Sequence, residues 1–195
     1  MKKAFSLLIV SVILFCFVGC DNDKYAYYPS NEIFNENITN SPASFEKGSI
    51  NDYNIYTNEW ANLKFDISDG FWFNYNAEAN TSAGEGETYG LAIANVAQDT
   101  LSIMFADATH YKYANMSEVD VLERFKTETQ ANFAFEDIYN QTIADASYKA
   151  ISCEYSTERT ISYSVRKLDN YFIIIAFDGR TSEWENVLNN ITTAK

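Results

Sequence analysis

"YKAISCEYSTERTISYSVRKLDNYFIIIAFDGRTSEWENVLNNI", residues 148–191, is the stretch that decides the fold. Three strand-like runs follow one another closely, at 148–156, 160–167 and 171–177, with Asp169-Asn170 suited to a tight turn between the last two. The run "YFIIIAF" is apolar at odd and even positions alike, which predicts a strand in the middle of a sheet, covered above and below. A helix closes the stretch. Ser182 and Glu185 have the spacing of a capping box, and Trp184, Val187, Leu188 and Ile191 recur at helical intervals. An antiparallel meander followed by a helix is therefore the C-terminal half of the fold.

Upstream the same logic holds. "LKFDIS" sets Leu63, Phe65 and Ile67 against Lys64, Asp66 and Ser68, a half-buried strand ending at Asp69-Gly70. "FWFNY" follows, then the polar loop "NAEANTSAGEGE". "YGLAIANVA" and "LSIMFADA" form a hairpin turning at Gln98-Asp99. "MSEVDVLERFKTETQANF" reads as a helix with Ser117 as N-cap and Asp120 three residues on. Met116 staples onto Val121, and Val121, Leu122, Phe125 and Thr129 make the buried stripe. Strands, helix, strand meander, helix is the order of an α+β domain: a central antiparallel β-sheet with helices packed on its faces.

The N-terminal fifty residues are different. Lys2 and Lys3 precede an apolar stretch from Ala4 to Val18, the layout of an export signal and short for a membrane span, which needs about 20 residues. Cleavage before Cys20 would put bulky Phe17 where ordinary secretory sites want a small side chain. "Phe-Val-Gly-Cys" instead resembles the lipobox of bacterial lipoproteins, with Phe17 in place of the usual Leu and Gly19 as the small residue before the cysteine. Cys16 does not compete, because Phe15 precedes it. The resemblance implies a signal peptide over 1–19 and a thioether-linked diacylglycerol with fatty-acyl chains such as palmitate on Cys20. The protein would then sit on the extracytoplasmic side of the cell membrane, at the cell surface. Two or more buried acyl chains anchor a protein stably, at about 0.8 kcal/mol per methylene. Residues 20–52, rich in Asn, Ser, Tyr and Glu and holding Pro29 and Pro42, read as a lipidated cysteine and flexible tether leading to a domain over 53–195. Tyr25, Tyr27 and Tyr28 suit the membrane interface.

Within 53–195 a second resemblance applies. "YTNEWANLKFDISDGFWF" (56–73), "IADASYKAISCEYS" and "YFIIIAFDG" before a final helix resemble PsbP-like domains in small lipoproteins of Gram-positive gut bacteria. Ser68 stands where that family often has proline. The resemblance implies an α/β/α sandwich about a central antiparallel sheet and a binding or assembly role, with no catalytic residue to carry over.

Composition narrows the function classes. Removing the leader takes the 14 basic residues to 12 against 27 acidic ones, a net charge of −15. That repels phosphate backbones, so nucleic acid is not an expected partner. His110 is the lone histidine, which makes His-rich metal sites and a Ser-His-acid triad hard to assemble. It reads as an exposed, idle imidazole. Asp66 with Asp69-Gly70, and Glu85 with Glu87, lack the ligand count of a calcium loop. Cys153, alone once Cys20 is lipidated, shares a strand face with Ile151 and Tyr155 and reads as a buried small hydrophobe. Trp60, Trp72 and Trp184 read as core. No cofactor and no metal are expected.

The expectation is a lipid-anchored extracytoplasmic binding or accessory lipoprotein without catalytic activity, contacting an extracytoplasmic protein partner or ligand that the sequence does not name. The alternatives are an acidic-site hydrolase acting on cell-envelope or dietary polymer, and a structural envelope subunit. An enzyme would need a concave site with convergent titratable groups, a binder a recognition surface, and a structural subunit an open sheet edge.

Overall fold

A computed structural model describes residues 44–52, 54–67, 70–73, 84–129 and 133–195. The expected signal peptide, Cys20, the tyrosine cluster, both prolines and Asp69 lie outside the described residues. Among the described ones, Phe45–Lys195 belong to one compact unit.

The elements are β1 (Ser49–Ile50), β2 (Ile55–Asn58), β3 (Leu63–Asp66), β4 (Phe71–Phe73), β5 (Glu87–Asn95), β6 (Thr100–Asp107) and α1 (Glu118–Glu128). They continue with β7 (Tyr139–Ile143), β8 (Ala146–Ser156), β9 (Arg159–Leu168), β10 (Tyr171–Arg180), α2 (Thr181–Asn189) and β11 (Ile191–Thr192). They build two antiparallel sheets: a main sheet in the order β4-β5-β6-β10-β9-β8-β7 and a small one in the order β1-β2-β3-β11. The fold is α+β and mostly sheet. The doubly apolar β10 is the central strand of the main sheet, as its pattern predicts, with Phe172, Ile173, Ile174 and Ile175 all buried.

Each face of the main sheet has its own core. On one, Ala106, Ile151, Val165, Phe172 and Ile174 pack with Val121 and Leu122 of α1. Ser117 caps α1 with a complete capping box, and Met116 packs into the same cluster. The helix stops at Glu128, short of the expected Phe133, and Thr129 serves as its C-cap. On the other face, Leu101, Ile103, Phe105, Ile173, Ile175 and Phe177 pack with Tyr56, Leu63 and Phe65 of the small sheet, Val187 of α2 and Ile191 of β11. The expectation of helices packed on the faces is met here only in part: a second sheet shares the cover with α2. The periodicity of "LKFDIS" identifies a strand but not which sheet it joins.

Two further expectations shift. Phe45 stacks on Tyr171 at 4.0 Å between centroids and meets Trp60 and Phe105 edge-on at 5.4 Å each. Residues 45–52 are thus part of the folded unit, which starts earlier than the expected Tyr53. And α2 begins at Thr181 with Arg180 as N-cap, without the Ser182–Glu185 box and with no side-chain cap bond. The β10 ladder runs through Arg180, paired with Arg159, so the strand hands over to the helix before Ser182 can sit outside it.

Candidate functional site

Strand β9 has an unusual inner face. Its register with β10 pairs Arg166 with Ile173, Ser164 with Ile175 and Ser162 with Phe177. Residues paired across an antiparallel ladder share a face. Ser162, Ser164 and Arg166 therefore point the same way as Ile173, Ile175 and Phe177, toward the small sheet and α2. The register with β8 continues the rows, pairing Ser162 with Ser152 and Ser164 with Ala150. One step further stands Tyr148, whose ring lies under the Arg166 guanidinium with the Arg166 Cζ 5.0 Å from its centroid. Ser162, Ser164 and Ala150 are 0 % exposed and Tyr148 1 %. A patch of hydroxyls, a phenol and a guanidinium is built into the layer where aliphatic side chains stand one strand away.

Some of these groups are satisfied. Ser164 donates to Gln141 Oε1 at 2.7 Å, and Arg166 Nη2 donates to the Ala61 carbonyl at 2.7 Å. Thr160 and Thr181 share a hydroxyl–hydroxyl bond of 3.0 Å where α2 meets the strand. Among the described residues three buried polar atoms have no partner: Tyr148 Oη, Ser162 Oγ and Arg166 Nε. All three belong to this one face. An unmade hydrogen bond in a buried site costs about 1–3 kcal/mol, so such atoms are uncommon and each calls for an explanation. Burial pushes the Tyr148 hydroxyl up to about 12, so it is a proton donor at neutral pH. Among the described residues no carboxylate forms an ion pair with Arg166.

The cover over this face comes from the small sheet, α2 and the β2–β3 turn. α2 buries only Val187 completely; Trp184 sits 5.1 Å from Phe177, and β11 joins β3 through two residues. At the other end the β2–β3 turn supplies the Ala61 carbonyl. The face thus lies between the main sheet and a cover made by α2, β11 and the β2–β3 turn.

Other polar groups are structural. Asp99, 0 % exposed, accepts from Arg180 through the backbone N at 2.7 Å, Nε at 2.9 Å and Nη2 at 2.7 Å, tying the β5–β6 turn to the start of α2. Arg159 joins Tyr155 and Asp178 at the same end of the sheet. His110 is not the idle exposed ring expected: it packs on Gly86 and Tyr111 and lies 4.0 Å from Glu85. Glu85 Oε2 and Glu87 Oε1 accept from the Tyr111 and Tyr113 hydroxyls. No group of three His, Cys, Asp or Glu side chains suited to a metal occurs among the described residues. Cys153 is buried, and desolvation raises its thiol above the ordinary range. Trp60 and Trp184 are half-buried against the inner core; Trp72 lies in β4. Sequence patterning missed the β8–β9 face altogether.

No family model matches the chain, and no curated protein does. A solved structure similar to it is that of cyanobacterial PsbP (CyanoP) from Synechocystis sp. PCC 6803. The two are 13% identical; the match covers 71% of this chain and 91% of that one, with a TM-score of 0.45.

Proposed function

We propose that the protein is a lipid-anchored extracytoplasmic binding lipoprotein, held at Cys20, whose folded unit takes a ligand between its two sheets and transforms nothing. The observation that carries the binding role is the set of three unpartnered polar atoms gathered on one buried face of β8 and β9. The residues there bind and do not react: a serine without a base, a phenol held protonated and a guanidinium have no nucleophile or general base among them. Anchoring rests on the lipobox-like "Phe-Val-Gly-Cys" and the export-type leader.

Native mass spectrometry of the full chain, extracted from its own envelope, tests both halves. The mature chain should begin at a Cys20 carrying diacylglycerol, and part of it should carry a further non-covalent mass. Cys20→Ala should release the protein or leave the precursor uncleaved. An unmodified Cys20 would end the anchoring reading, and a chain with no bound mass under any mild condition would end the binding one.

A further inference from the structure

Resting on the binding reading, we propose that the inner face of β8–β9 is a receptor for a small organic monocarboxylate, gripped by Arg166 Nε–H and Tyr148 O–H, with Ser162 meeting the rest of the molecule. Two of the three unpartnered atoms flank one guanidinium–phenol stack, because Arg166 lies over the Tyr148 ring. Both are donors, and a guanidinium donor finds its best partner in a carboxylate oxygen.

The charge count selects a monoanion. Arg166 is the one cation described on this face: Lys149, which alternates with Tyr148 and Ala150 along β8, is bonded to Asn140, and Lys167 lies over Phe172 on the opposite face. The chain's net charge of −13 disfavours a dianion such as phosphate, for which a single guanidinium is poor compensation. Among the described residues no acid pairs with Arg166. Ser162 lies four residues along the strand, about 13 Å away at the usual rise. A ligand reaching both points is therefore elongated, with its acid head at Arg166 and a tail bearing a hydrogen-bonding group near Ser162. Its middle would run past Ser164 and Ala150, two small side chains of that face.

The three atoms are sealed from water, so admission requires the cover to move. The part that would have to shift is α2–β11, held by Val187, the half-buried Trp184 and Leu188, and the Asp99–Arg180 tie.

The test is a titration of the isotope-labelled full chain in detergent with sodium acetate, read by NMR at the Arg166 Nε–Hε and Trp184 indole N–H signals. Sodium chloride at equal ionic strength and inorganic phosphate are the controls. Saturable shifts with acetate alone are expected. Tyr148→Phe should weaken the response about tenfold, the loss of one hydrogen bond to a charged group. Arg166→Gln should abolish it at Trp184 while leaving the fold's other signals in place. Equal shifts with chloride, tighter binding of phosphate, or a Trp184 response that survives Arg166→Gln would each overturn the proposal. A neutral molecule found bound to the protein from its own envelope would also overturn it, yet leave the binding reading standing.

Discussion

Asp99→Asn is the substitution whose consequence the geometry fixes most closely. The Asp99 carboxylate is fully buried and accepts four hydrogen bonds, three from Arg180 and one from Asn95 Nδ2 at 2.9 Å. Its Oδ2 alone receives three of them. An asparagine deletes the charge and turns one oxygen into a donor that faces donors. Losing a hydrogen bond between charged groups costs about 1.5–3 kcal/mol. The Arg180 side chain is 43 % exposed and can return to water, which limits the loss. A net destabilisation of about 2–3 kcal/mol follows, or about 5–10 °C in Tm for a unit of this size. The pH dependence has a definite sign. Burial pushes the Asp99 carboxyl up, but Arg180 and Asn95 outweigh it and hold the folded value below the ordinary range. Its stabilisation is therefore present above the unfolded value, about 3.9, and lost as pH falls through the folded one. Urea unfolding of wild type and variant should show a gap that is constant from neutrality to about pH 5 and closes in stronger acid. A neutral-pH gap under about 0.5 kcal/mol, or one unchanged in acid, would refute this account.

Three further outcomes are expected. Tyr148, Tyr155 and Tyr163 are pushed up to about 12, in each case chiefly by burial. Neutral buried phenols contribute fully below the unfolded value of about 10, and that contribution goes as pH rises through 12, so tyrosinate absorbance should rise in two phases, the later one coinciding with unfolding. Phe45→Ala removes a ring stacked on Tyr171 and edge-on to Trp60 and Phe105, and should cost about 2–3 kcal/mol in denaturant unfolding; no loss would place residues 45–52 outside the cooperative unit. Gly90→Ala would bring a Cβ within 2.6 Å of the Lys47 carbonyl, the Phe105 ring and the Tyr56 hydroxyl together, and should cost about 1–3 kcal/mol and loosen the small sheet, read as faster hydrogen exchange in β2.

Much of the fold was legible where patterns are long. Strand β10 needed only its doubly apolar run, and α1 only its capping box and stripe. The elements that escaped are short or polar. β1 and β11 have two residues each, too few to show any period, and they exist because β2 and β3 offer them edges. β7, "YNQTI", lacks an apolar alternation because its inner side is shared by Tyr139, Gln141 and Ile143, two of them polar. The start of α2 moved because ladder pairing to Arg159 and the Asp99 tie outrank a local cap worth about 1 kcal/mol.

The candidate site was hidden by the rule that made the rest readable. "RTISYSVR" alternates Thr160, Ser162, Ser164 and Arg166 with Ile161, Tyr163 and Val165, the signature of a strand wet on one side. In the fold most of the polar side is buried too: Ser162 and Ser164 have no exposure at all, while Arg166 is half-buried. Local alternation reports which face a strand would bury if only one face were available; it does not report that a C-terminal helix and a β2–β3 turn return to close the other. The signal available was indirect. β9 lies between β8 and β10, whose 172–177 run is apolar on both faces, and a polar stripe beside a doubly buried strand is an inconsistency between levels. Such an inconsistency has two resolutions: the stripe is solvated because the cover stops short of it, or it is covered and its polar atoms await partners. The Tyr148, Ser162 and Arg166 atoms, unpartnered among the described residues, favour the second, and the proposed ligand recognition is for that reason assigned to β9 rather than to the acids or the histidine.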